Sequence, residues 1–485
     1  MSRVLAALAS HAQEEPDGLA LTGDRIALTW AELAQAVAFA VQWLEPHLLK
    51  TAPGAPVAIA LDNGPAWVVL DLALLALGRP SLPLPPFFTA EQRGHALTDA
   101  GAGMLVRLAR PGEHGAAFIA AEPVAAESLS LPPGLLHNGV AKITYTSGST
   151  GRPKGVCLSL AQMEDVAEAL VDVLGRETAK VHMAVLPLGV LLENVAGLYP
   201  TLLAGGRYHA PSLRSLGFGQ GSRPDISRLC AAVAAARATS LILVPEILRE
   251  MLQWMGDTGI GLPSLGFIAV GGAKTPPSLI AAARAAGLPV YEGYGLSECA
   301  SVVALNMPER DRPGSVGRPL PNLTLTVRAD GELVVGPHPF LGYVGEPAAK
   351  GPWRTGDLGA IDDDGFVSIS GRRSNLLITA FGRNVAPEWV ESELLAQPEI
   401  GQALVFGEGA RALCAVLVPS AAAIGPTALD AAVERANAGL PDYARVGRWQ
   451  ASRPFGTGPD ELTGNGRPRR DVLRAAHQDF IESEG

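Results

Sequence analysis

Apolar residues recur along this chain at two periods, and their alternation sets its architecture. Spacings of three and four mark helices, and short unbroken apolar runs mark buried strands. The first twelve residues read as an amphipathic helix, and a second helix opens in the stretch 28–33. There Thr29 stands as N-cap and Glu32 three residues later, the pattern of a capping box. Residues 57–61 read as a short buried strand, 67–78 as a helix and 81–84 as the end of another strand. Residues 141–146 lead into a loop, 159–174 are helical, 183–188 form a strand and 189–199 a helix. Two more buried strands follow at 241–245 and 265–270, with a helix beginning after Pro276-Pro277. Strand, helix, strand in this order predicts an α/β fold of parallel sheets flanked by helices.

The pattern changes near residue 311. Residues 311–371 are strand-rich, with Gly, Pro and Asp turns, and predict a small β subdomain. Alternation then resumes: helix 388–396, strands 402–407 and 412–418, helices 427–438 and 471–482. This predicts a smaller α+β domain at the C-terminal end.

The 485 residues carry a formal net charge of −10, which argues against a nucleic-acid partner, since phosphate contacts need a basic face. Cys157, Cys230, Cys299 and Cys414 lie far apart, with no C-x-x-C. They predict reduced thiols and a cytoplasmic protein. No apolar run has the length of a membrane span; the most apolar tract, 67–84, is interrupted by Asp71, Gly78, Arg79 and Pro80. Only six of the 38 basic residues are lysine, so a lysine in a glycine loop stands out.

That lysine is Lys154. It closes the loop Thr146-Ser147-Gly148-Ser149-Thr150-Gly151-Arg152-Pro153-Lys154, which carries hydroxyls and glycines between two apolar elements. Successive backbone N–H groups in such a loop form an anion nest, and the ammonium adds a point charge suited to phosphate. Proline precedes the lysine, so this is not the common G-x-x-x-x-G-K-[ST] loop. Further along, Gly271-Gly272-Ala273 ends a buried strand and suits close contact with a flat group such as adenine. Glu292-Gly293-Tyr294-Gly295-Leu296-Ser297-Glu298 combines an aromatic, glycines, a hydroxyl and carboxylates. Glu298 is of the type that binds a hard cation such as Mg²⁺. In Trp353-Arg354-Thr355-Gly356-Asp357, Asp357 could accept two hydrogen bonds from a ribose diol.

The loop ending at Lys154 resembles the signature loop of the adenylate-forming superfamily: acyl-CoA synthetases, peptide-synthetase adenylation domains and luciferases. The stretches 294–298 and 353–357 are similar to the family's second and third signatures, in the same order, and 382–388 resembles the long-chain fatty-acid branch. The resemblance implies a large N-terminal domain, 1–371, and a mobile C-terminal domain, 372–485. It implies that Thr146, Ser147, Gly148, Ser149, Thr150, Gly151 and Lys154 hold the β- and γ-phosphates of ATP. Glu298 with Thr150 would hold Mg²⁺. Gly271, Gly272, Ala273, Glu292, Gly293, Tyr294 and Ser297 would surround adenine and the α-phosphate, and Asp357 with Arg372 the ribose. Arg467 stands where the family has a catalytic lysine, and Ser374 where it has a hinge Asp or Lys. Residues 186–194 lack the aspartate of amino-acid-activating relatives, which favours an apolar acid facing Val190, Glu193, Asn194 and Val244.

The activity so implied joins a carboxylic acid, a medium- or long-chain fatty acid, to AMP, releases pyrophosphate and passes the acyl group to a thiol, that of CoA. Two alternatives stand beside it: loading the phosphopantetheine of an acyl carrier protein, and a catalytically weakened homologue that only binds nucleotide or acyl ligand.

Overall fold

The computed structural model describes residues 2–113, 116–146, 153–219, 224–337, 340–458, 461, 462 and 468–483. Two large sheets, a four-stranded antiparallel sheet and a C-terminal three-stranded sheet organise them.

The first large sheet has nine strands, with a parallel centre of Leu19–Thr22, Arg207–His209, Val181–Met183, Ser240–Leu243, Phe267–Val270 and Val290–Leu296. The second has eight, with Met104–Leu108, Val57–Ala60, Ser81–Pro83 and Val140–Thr146 running parallel. Between the sheets lies a continuous apolar core that includes Trp30, Trp67, Tyr199 and Tyr208. The helix Pro65–Ala76 is buried at every position but its last, which is why its sequence is apolar all round rather than striped.

The helix starts follow from their caps. Thr29 accepts from the Glu32 N–H while the Glu32 carboxylate accepts from the Thr29 N–H, and the helix runs Trp30–Leu48. Ser159 and Gln162 form the same reciprocal pair at the start of Leu160–Thr178.

Four expectations change. The helix expected over 471–482 is two, Arg470–Ala476 and Gln478–Glu482, broken at His477. Residues 183–188 are not one strand: the strand is Val181–Met183, and only its last residue falls in the expected range. Residues 189–199 form no single α-helix but a short turn, Leu191–Glu193, a π-helical segment, Asn194–Leu198, and a helix, Tyr199–Ala204. The segment 311–371 is not a self-contained sheet. Arg318–Pro319 joins the nine-stranded sheet and Gly342–Tyr343 the eight-stranded one, leaving Thr324–Val327, Glu332–Gly336, Trp353–Ile361 and Val367–Arg372 as the four-stranded sheet.

Beyond it, Ile400–Phe406, Leu413–Pro419 and Val446–Ala451 form the C-terminal sheet, with its own apolar core against Pro387–Leu395 and Pro426–Ala438. Gly371 sits tightly against the start of the helix Pro387–Leu395: a Cβ there would meet the Ala386 Cβ at 2.4 Å.

Candidate functional site

Side chains from three sheets converge on one region. In the eight-stranded sheet, Val140–Thr146 and Lys154–Ser159 form an antiparallel hairpin whose last cross-strand pair is Thr146 with Lys154. The hairpin therefore delivers Lys154 to the base of the glycine loop. Its approach is braced: Tyr145 Oη donates to Asp99 at 2.7 Å, and the His95 ring meets the Pro153 carbonyl at 2.9 Å. Gly155 must lack a side chain, because a Cβ would lie 2.8 Å from both Tyr145 and Val344. Lys154 Nζ donates to Glu346 Oε1 at 2.8 Å and lies 4.9 Å from the centre of the Tyr343 ring.

In the nine-stranded sheet, adjacent parallel strands end together, the usual position for ligands in open α/β sheets. Val270 pairs with Glu292, so the Gly271–Gly272–Ala273 turn lies beside Gly293 and Tyr294. A Cβ on Gly271 would lie 3.1 Å from the Gly293 carbonyl oxygen, and one on Gly272, whose φ is +82°, would lie 3.6 Å from Val244. Glu292 is 5% exposed and accepts from the Thr275 N–H at 3.0 Å. Burial raises its carboxyl to about 7.

The residues after Glu292 continue as strand to Leu296. Glycine serves here for close backbone approach, since a Cβ on Gly295 would fall 1.6 Å from the Ser301 carbonyl oxygen. The chain then turns through Ser297–Cys299, with Ala300 and Ser301 at φ of +54° and +102°, conformations rare for non-glycine residues. This tight reversal presents Glu298, whose Oε1 accepts from Tyr343 Oη at 2.7 Å.

The four-stranded sheet contributes Asp357. It is 5% exposed, accepts from Tyr294 Oη at 2.6 Å and is paired with Arg372. Burial and this carboxylate push the Tyr294 phenol well above its ordinary range, so it remains a donor.

An apolar cavity of about 60 Å³ lies behind the nine-stranded sheet, walled by Leu192, Ala196, Pro200, Ile242, Phe267 and Ala269 among others.

The structure gives Glu193 and Asn194 a different role from the one expected. Neither polar group is available to an acyl chain. Glu193, at 0% exposure, accepts from Tyr208 Oη at 2.9 Å and the Leu186 N–H at 3.3 Å, and its Oε1 lies 3.1 Å from His182 Nε2. Asn194 donates to Asp71 at 3.2 Å and accepts from Lys142. Val190, the N-cap of Leu191–Glu193, and Val244 are half-buried. Ser147, Gly148, Ser149, Thr150, Gly151 and Arg467 lie outside the described residues. Sequence reasoning missed Tyr343 and Glu346. Their one local signal is a tyrosine and a glutamate in the turn Gly342-Tyr343-Val344-Gly345-Glu346-Pro347, and their partners are 45 and 192 residues away.

Comparison with known proteins follows the same lines. The family described as AMP-binding enzyme matches residues 8–355, and the AMP-binding enzyme C-terminal domain matches 374–483. A long-chain-fatty-acid–CoA ligase of Mycobacterium bovis is 28% identical, with 84% of this chain and 80% of the relative covered. A 2-succinylbenzoate–CoA ligase of Geobacillus kaustophilus is 30% identical, with 81% of this chain and 82% of the relative covered. Among solved structures, O-succinylbenzoate coenzyme A synthetase of Bacillus subtilis in complex with AMP superposes with a TM-score of 0.77 at 25% identity, covering 96% of this chain and 98% of that one. The same enzyme with ATP and magnesium ion gives 0.76 at 25% identity, covering 96% and 99%.

Proposed function

The chain belongs to the AMP-binding enzyme family, and on that premise we propose that it is an AMP-forming acid–CoA ligase acting on a carboxylic acid with an apolar body. The observation that carries the substrate reading is the cavity. Its wall is largely aliphatic. The polar residues in that wall already have partners: His182 and Ser240 bond each other at 2.9 Å, and Thr178 and Thr201 donate to backbone carbonyls. A medium- or long-chain fatty acid fits this lining, and an aromatic acid of similar bulk is the competing substrate that the 2-succinylbenzoate relatives bring to mind.

The residues present suit the reaction. The acid's carboxylate must attack the α-phosphorus of ATP, expelling pyrophosphate. The CoA sulfur then attacks the acyl carbon and AMP leaves. Both steps bring anions together, so positioned positive charge and hydrogen-bond donors contribute most. Lys154 serves the β- and γ-phosphates, Gly271, Gly272 and Ala273 with Tyr294 border the adenine, and Asp357 with Arg372 takes the ribose hydroxyls. Glu298 fits a Mg²⁺ that arrives with the nucleotide: it offers hard oxygen donors, and among the described residues no cluster of three or more metal-binding side chains builds a separate cage. Mg²⁺ there would neutralise phosphate charge. The division of the chain at 371 and rotation of the C-terminal part are included in this proposal.

Product mass spectrometry with ATP, Mg²⁺ and a panel of aliphatic and aromatic acids, with and without CoA, tests it. Acyl-CoA from an apolar acid supports the reading. Acyl-AMP that accumulates in the presence of CoA points to a carrier-protein acceptor instead, and no product despite ATP binding points to a weakened homologue.

A further inference from the structure

Two side chains that the proposed reaction uses are both held by one short turn. Gly342–Tyr343 is the edge strand beside Lys154–Ser159, with Tyr343 opposite Val156. The chain then reverses, the Glu346 N–H donating to the Tyr343 carbonyl at 3.2 Å. From this turn Glu346 takes the Lys154 ammonium at 2.8 Å, and the Tyr343 hydroxyl takes Glu298 at 2.7 Å. The Tyr343 ring lies between the two pairs, its centre 4.9 Å from Lys154 Nζ.

The two contacts differ in strength in a way that matters. Lys154 and Glu346 are 43% and 47% exposed. An ion pair that open is weak and easily exchanged. A polyphosphate carries more charge than one carboxylate and more acceptor oxygens, so it wins the ammonium when it arrives.

We propose that Tyr343 and Glu346 are positioning residues for the nucleotide: in the empty enzyme they hold Lys154 and Glu298 in place, and the triphosphate displaces Glu346 from Lys154. The proposal rests on Lys154 serving the β- and γ-phosphates. Glu346 then competes with ATP for Lys154, and its charge sets ATP affinity without touching the nucleotide. AMP, which lacks those phosphates, is indifferent to it.

Calorimetric titration of ATP and of AMP into the wild-type chain, Glu346→Gln, Lys154→Ala and the double variant tests this. Glu346 is exposed, so its replacement leaves the fold intact, and a melting curve checks that. The expected result is ATP binding up to about fivefold tighter in Glu346→Gln at low salt, a gain that shrinks as ionic strength rises. AMP affinity stays unchanged, and the gain vanishes on the Lys154→Ala background. ATP affinity unchanged or weakened in Glu346→Gln, with Lys154→Ala still losing ATP affinity, overturns the proposal alone. ATP affinity unaffected by Lys154→Ala overturns the role of Lys154 in the proposed function, and this inference with it.

Discussion

Arg372 and Asp357 face each other as a cross-strand pair at the end of the four-stranded sheet, and Arg372 Nε donates to Asp357 Oδ1 at 2.7 Å. The second Asp357 oxygen takes the hydroxyl of Tyr294, from the nine-stranded sheet. One carboxylate therefore joins two sheets. Asp357→Asn should weaken AMP and ATP binding by at least about tenfold, or ~1.4 kcal/mol, measured by calorimetry. Unchanged affinity would remove Asp357 from the ribose.

Glu292 gives a pH signature. Its folded value of about 7 lies above the ordinary 4.5, so the native chain holds this proton more tightly than the unfolded one. The stability it contributes is complete below 4.5 and is lost as pH rises through about 7. Glu292→Gln has no proton to lose. Its melting temperature should gain on the wild type from about pH 5 to about pH 8, since every tenfold difference in proton affinity between the folded and unfolded chain is worth ~1.4 kcal/mol. A constant difference over that range would contradict the burial argument.

The pair of Lys142 and Asp71 tests the joint between the two large sheets. Lys142 is 1% exposed and Asp71 0%, and they meet at 2.6 Å. Tyr199 donates to the same carboxylate at 2.8 Å. Lys142→Met leaves Asp71 buried without its cation and should cost about 3–5 kcal/mol. Adding Asp71→Asn should return part of that loss, and thermal melts of the two variants would show whether it does.

Ala196 lies in the wall of the apolar cavity. Ala196→Phe should raise KM for the longest accepted acids by roughly tenfold or more, with a smaller effect on short ones. Equal effects on long and short acids would place the acyl chain elsewhere.

Arginine at 467 retains positive charge but not the point-charge geometry of lysine. Arg467→Lys should speed the adenylation half-reaction, in keeping with the roughly 10²- to 10³-fold that one transition-state contact can supply. Pre-steady-state adenylate formation that is no faster in the variant would sink this expectation.

Local signals were readable wherever local chemistry decides structure. Thr29 with Glu32 and Ser159 with Gln162 announce their helices because each cap needs only residues three apart. The glycines at 293 and 295 were harder, since glycine marks both a turn and a close backbone approach, and here it is the second. The strand Val446–Ala451 gave no apolar run, because only one of its residues is buried. Glu193 and Asn194 are polar residues in an aliphatic stretch, and sequence cannot show whether such groups face a ligand or a distant partner. Asp71 lies 123 residues from Asn194, and no spacing rule reaches that far.

The chain has six lysines, and Lys142 is the buried one. The other five reach the surface to varying degrees. An amine-acylating reagent applied to the folded protein would tag those five quickly and spare Lys142, whose modification waits for the strand Val140–Thr146 to part from its neighbours. The rate at which that single amine becomes labelled is thus a clock for the opening of the joint behind the glycine loop, readable from a peptide map without any knowledge of the substrate.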